Sequence, residues 1–125
     1  MFAGEVDLKT WYKPKIDKKT LKELSKRSDT KGLLDISVFI VALILSGYLC
    51  ILSWGTLWSI PALLLYGNIF YCKIISIQHE TNHETYFKTR ALNKFFYHIT
   101  SLLGGFEAVR WKWSHFHHHT YTIFT

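Results

Sequence analysis

The chain has 125 residues, 49% of them hydrophobic and 17% aromatic, with a formal charge of +6. That length allows one domain at most and excludes a large soluble core. Nine of the fifteen basic residues fall between Lys9 and Lys31, whereas Leu33–Gln78 contains only two charges, Asp35 and Lys73.

Residues 1–31 read as a basic arm and 32–125 as a membrane domain. Lysine-rich stretches suit nucleic-acid phosphates, but Glu5, Asp7, Asp17, Glu23 and Asp29 are interspersed with these lysines. An apolar run follows directly, so a solvated face beside a membrane is the better account. No short apolar core with a cleavage site follows the N-terminus, and no secretory signal is expected.

Leu33–Trp54 is long enough to cross a bilayer, which takes about 20 largely apolar residues. Thr56–Gln78 is a second run of similar length. Trp54-Gly55 forms a tight uncharged connection, and Trp54 and Trp58 suit the interfacial belt. Pro61 falls in the first turn of the second run, where its missing N–H costs little. The expectation is a helical hairpin across the membrane, with both ends cytoplasmic by the positive-inside rule. Lys73 would then lie near the inner end of its span and snorkel toward water. Cys50 and Cys72 would sit near opposite faces and read as buried small hydrophobes rather than a disulfide.

Beyond the second run, Leu92, Phe95, Phe96, Ile99 and Leu103 recur at helical spacing. Their segment is too short to span and predicts an interfacial amphipathic helix or a half-buried re-entrant one. Gly104-Gly105 marks its end.

Two histidine groups carry the chemistry. His79 and His83 are four apart, on one helical face, where two imidazoles can reach one metal ion. His115, His118 and His119 stand at i, i+3 and i+4 and share a face as well, with His117 pointing sideways. Phe116 interrupts the second group, which argues against a purification tag. Burying so many imidazoles with no metal or other partner would leave polar nitrogens unsatisfied.

The paired pattern, His79-Glu80-Thr81-Asn82-His83 after a span and His115-Phe116-His117-His118-His119 some thirty residues on, resembles the first two histidine boxes of the membrane fatty acid desaturase superfamily, which includes related hydroxylases and alkane monooxygenases. Phe87 and the Trp113-Ser114 pair before His115 add to the likeness, which covers about residues 33–125. The resemblance implies an all-α membrane protein, a two-span hairpin followed by interfacial helices that carry the boxes. It implies two iron ions (Fe²⁺) held by His79, His83, His115, His118 and His119, and O₂-dependent removal of hydrogen from an acyl or alkyl chain. Its partners would be a membrane lipid or acyl chain and an electron donor of ferredoxin or cytochrome b5 type. Imidazole by itself does not select the metal. Glu80, Asn82, Glu84 and Glu107 are candidates to receive the second ring N–H of a ligand, and His98 reads as structural.

The superfamily carries a third histidine box after a further pair of spans, and the sequence stops soon after the second. The expectation is therefore the N-terminal part of a longer protein, inactive by itself. Two other classes stay open. One is a noncatalytic membrane hairpin in which facing histidines hold haem or metal. The other is a membrane zinc protease, because His79-Glu80-Thr81-Asn82-His83 also fits H-E-x-x-H with Glu80 as base.

Overall fold

The computed structural model describes residues 15–121, and within them every regular element is a helix. The start of the basic arm, with Lys9 and Lys13, lies outside the described residues, as does the tail after Tyr121. Five helices follow in order: α1 (Lys18–Leu24), α2 (Asp29–Ser53), α3 (Ser59–Asn82), α4 (Arg90–Leu103) and α5 (Ala108–Tyr121).

Each boundary has a local cause. Asp17 caps α1 by accepting the Thr20 N–H at 3.0 Å, and Ser28 caps α2 by accepting that of Lys31 at 3.4 Å. The connection to α3 turns on Gly55, whose φ of +78° is a left-handed conformation that favours glycine. Pro61 is the third residue of α3, where no intrahelical donor is lost. α3 continues past the apolar run as far as Asn82, so His79 is carried on the same rigid rod as the span.

α2 and α3 are both long and apolar enough to cross a membrane, yet only 17% and 11% of their most apolar stretches are buried. Leu34, Ile44, Ile51 and Leu64 all point outward. Core helices of a soluble protein would hide these groups, whereas helices facing lipid need not. The two helices run antiparallel. Asp35, near the start of α2, pairs with Lys73, near the end of α3, at 2.6 Å, and the Gly47 backbone abuts the ring of Tyr66. Lys73 thus turns to a carboxylate on its neighbour instead of reaching toward water as its sequence position suggested.

α4 covers the expected amphipathic segment, with Leu92 and Phe96 of its apolar residues against the core and the others outward. Its buried residues are Asn93, Tyr97, Thr100 and Ser101, which pack toward α3, while Phe95, Ile99, Leu102 and Leu103 are exposed. Small polar groups let the helices approach closely. Thr100 returns its hydroxyl to the Phe96 carbonyl at 2.6 Å, and Gln78 reaches Ser101 at 3.5 Å. A polar face inward and an apolar face outward is the arrangement of helices in lipid.

The small apolar core lies where α2, α3 and α4 meet, built from Ile36, Ile77 and the fully buried Phe87, with Phe39, Leu92 and Phe96 against them. Asn93 clasps Phe87 from both sides, accepting its N–H at 3.0 Å and donating to its carbonyl at 2.9 Å. Phe87 also presses on Gly32, where an added Cβ would come within 2.6 Å of the ring and 3.2 Å of the Tyr86 carbonyl. Stacking on Phe96 at 5.0 Å keeps the ring from swinging away. Gly32→Ala is therefore expected to lower stability by about 1–2 kcal/mol, the overpacking cost exceeding the helix-propensity gain. Thermal unfolding in detergent measures this, and an unchanged midpoint would mean the α2–loop contact is loose.

Candidate metal centre

Two helix ends build the site. α3 stops at His83 in a turn that closes with Glu84 N–H on the Thr81 carbonyl and Thr85 N–H on that of Glu80, each at 3.0 Å. This two-bond closure places the next residue in the left-handed region, usually a glycine position. Here it is Glu84, with φ 54°, and its carboxylate accepts from Arg90 at 3.0 Å. The loop that follows is pinned three times. Tyr86 donates its hydroxyl to Asp35, Phe87 is held by Asn93, and Thr89 gives its N–H and hydroxyl to Asp29 at 2.9 and 2.7 Å. Burial, followed by the Asp35 carboxylate, pushes the Tyr86 phenol well above its ordinary pKa, so it stays a donor.

α5 starts after the Gly104-Gly105 turn. Glu107 accepts from the N–H groups of Val109 and Arg110, and the Tyr97 hydroxyl donates to the Ala108 carbonyl at 2.5 Å. These bonds aim α5 back across the end of α3.

Four imidazoles meet there. The ring nitrogens of His79, His83, His115 and His119 lie within 4.8 Å of one another. The Nε2 atom of His115 is 3.0 Å from that of His83 and 3.0 Å from that of His119. Ligands about 2.1 Å from one ion and at right angles to each other stand about 3.0 Å apart, so these two separations match pairs of ligands on one ion. Several neutral imidazoles and no sulfur or carboxylate at the point of convergence form a borderline donor set suited to iron, zinc or copper. The residues fit a metal.

Of the five histidines expected as ligands, the structure brings together His79, His83, His115 and His119. The His118 ring centroid lies 6.2 Å from that of His115 and 5.9 Å from that of His119, outside the converging set. His117 stacks on Tyr121, pointing sideways as its position suggested, and His98 stands exposed beside Tyr97. Glu84 and Glu107, candidates to receive a histidine N–H, are engaged by Arg90 and by the start of α5.

Trp111 orients the His115 ring by stacking, without accepting its N–H. Its indole lies parallel to the His115 ring, 4.5 Å away at 12°, and edge-on to His79 at 6.4 Å. One α5 turn separates Trp111 from His115, a spacing that was visible but carried no directional information. Beside it a groove of about 450 Å³ leaves His79 and follows α3 past Ser76, Ile75 and Cys72 to Tyr71, with Trp111 as its opposite wall. Eight residues of helix make that path about 12 Å long.

The fold and site together describe a helical protein of membrane type with four converging histidines that could hold a metal ion. The family model described as fatty acid desaturase matches residues 60–125, more than half of the chain. The protein belongs to that family. No curated protein and no solved structure matches it. The matched stretch takes in α3, both histidine groups and α4, and leaves α2 and the basic arm outside.

None of the described α5 residues is buried, so the junction of α5 with α3 depends on the imidazoles and Trp111. Burial, and then the neighbouring imidazoles led by His79, pull the His115 pKa from 6.5 down to about 4. Between those values the unfolded chain binds more protons than the folded one, so stability rises with pH and is lost as pH falls through the window. Hydrogen exchange in 108–121, corrected for its intrinsic pH dependence, should therefore quicken relative to α4 between about pH 7 and about pH 5. His115→Asn should remove much of that dependence, and equal behaviour of the two helices would contradict it.

Proposed function

We propose that this protein is part of a membrane desaturase that uses iron and O₂ to introduce a double bond into an acyl or lipid chain. The observation that carries the reading is the convergence of imidazoles from both histidine groups at the end of an apolar helix. Iron bound there would supply O₂ activation and the oxidising power to take hydrogen from an unactivated C–H bond. The chain's own residues fix the geometry: α3 carries His79 and His83, Glu107 and Tyr97 aim α5, and Trp111 holds the His115 ring flat. The groove from His79 to Tyr71 is the path we assign to the acyl chain, since its lining is mostly apolar and it descends beside the span.

Four imidazoles are enough for one ion. A second iron needs further donors, and His118, adjacent to the set, is the first we assign to it. The remainder would come from beyond the residues gathered here, so we propose that residues 1–125 are inactive alone. Electrons would come from a ferredoxin- or cytochrome b5-type donor. The basic residues before α2 and after α3 favour a cytoplasmic position for both ends of the helix pair. A membrane-impermeant maleimide should then label a cysteine at the exposed Leu57 from outside the cell, and one at Lys15 only after permeabilisation.

The functional test replaces His115 by Ala at the gene's own locus, keeping protein abundance matched, and profiles the chains of the cell's lipids. One class of unsaturated chain should fall at least about tenfold, because loss of a ligand costs more than loss of its supporting partner. His98→Ala should leave the profile intact. If a hydroxylated chain disappears instead, the hydroxylase reading replaces this one; an unchanged profile contradicts both.

A further inference from the structure

The cations ahead of α2 form a site of their own. The end of α1, the connection to α2, the first turn of α2 and Lys88 of the α3–α4 loop enclose a groove of about 1120 Å³. Lys26, Arg27, Lys31 and Lys88 line it. The two ion pairs among the described residues, Lys73–Asp35 and Arg90–Glu84, involve none of these four. Asp29, in the groove wall, has both carboxylate oxygens on Thr89 and stands close enough to Lys88 to feel its charge. Glu23 is the other acid there, so positive charge exceeds negative.

Position narrows the ligand. Lys31 precedes Leu33, the first residue of the apolar run, by two residues or about 3 Å of helix, which sets the groove at the level of lipid headgroups. Leu21 and Leu24 of α1 are 50% and 79% exposed; Leu24 lies on the side of that helix away from Lys18, Lys19 and Lys22, and Leu21 borders Lys18. Apolar side chains beside lysines suit a segment lying in the membrane surface. A solvated protein partner would have no use for exposed leucines at this depth, and nucleic acid would not approach it.

We propose that this groove binds the phosphate headgroup of an anionic phospholipid, fastening the arm to the leaflet on which the histidine centre opens. Lys26 and Arg27 reach the phosphate from one side, Lys31 and Lys88 from the other. The site depends on α2 and α3 lying in a membrane and is independent of the metal, so it survives if the desaturase reading fails.

The test reconstitutes the full chain in phosphatidylcholine bilayers with trace spin-labelled phosphatidic acid or, separately, spin-labelled phosphatidylcholine. Electron spin resonance then gives the share of each label immobilised on the protein. The anionic label should be preferred at least severalfold, and each cation removed should lower that preference. Replacing Lys26, Arg27, Lys31 and Lys88 together by Gln should bring the preference close to one, while Lys94→Gln with Lys112→Gln should leave it. In the unaltered chain the preference should also fall as salt is raised. Equal immobilisation of the two labels, or a preference that persists in the fourfold variant, would overturn the proposal. So would loss of the preference in millimolar inorganic phosphate, which would make the ligand a soluble phosphate.

Discussion

The Asp35–Lys73 pair is the constraint from which the rest of the architecture follows. Two charges set into helices that otherwise expose hydrocarbon are costly unless they meet, and each is the other's only opposite charge within the apolar stretch. Their meeting sets how far along α3 lies against α2, and a slide of one turn would strand both. The Tyr86 hydroxyl joins the same carboxylate, which ties the loop after His83 to the first helix. From that node Phe87 enters the core, Asn93 closes on it, and α4 is laid along α3. The position of His83 therefore depends on a polar contact well below it in the helix pair.

Much of this was readable in the sequence. Long apolar runs predicted α2 and α3, and the i, i+4 spacing of His79 and His83 predicted a shared face, because both signals are local and periodic. The partnership of Asp35 and Lys73 was present in the charge pattern: they are the two charges of the run, opposite in sign and near opposite ends. Reading Lys73 as a snorkelling side chain treated it as a residue on an isolated helix, whereas an antiparallel neighbour offers a closer partner than water. α4 was placed correctly as a segment, but apolar spacing by itself did not say which residues would meet α3. Asn93, Tyr97, Thr100 and Ser101 supply the buried face, a polar set that a hydrophobic pattern does not mark. The stacking of Trp111 on His115 depends on where α5 crosses α3, a long-range property that spacing does not encode.

The strength of the fold is unevenly distributed, and this bears on function. The loop between α3 and α4 is held by Asp35, Asn93 and Asp29, all outside the site, so His79 and His83 are presented on a fixed frame. α5 has no buried residue and meets that frame through its histidines. A metal at the convergence would bridge the rigid and the loosely held half, contributing to folding as well as chemistry. The fit of α5 against α3 then becomes a property of the loaded protein, with Trp111 setting the angle at which His115 enters.

The central claim is that imidazoles from both groups bind one ion. X-ray absorption at the iron edge, on the full chain purified from iron-replete membranes, tests it most directly. The account predicts nitrogen scatterers at about 2.1 Å with the multiple-scattering signature of three or four imidazoles, reduced in both His79→Ala and His119→Ala. Sulfur at about 2.3 Å, or iron bound without imidazole scattering, would contradict it.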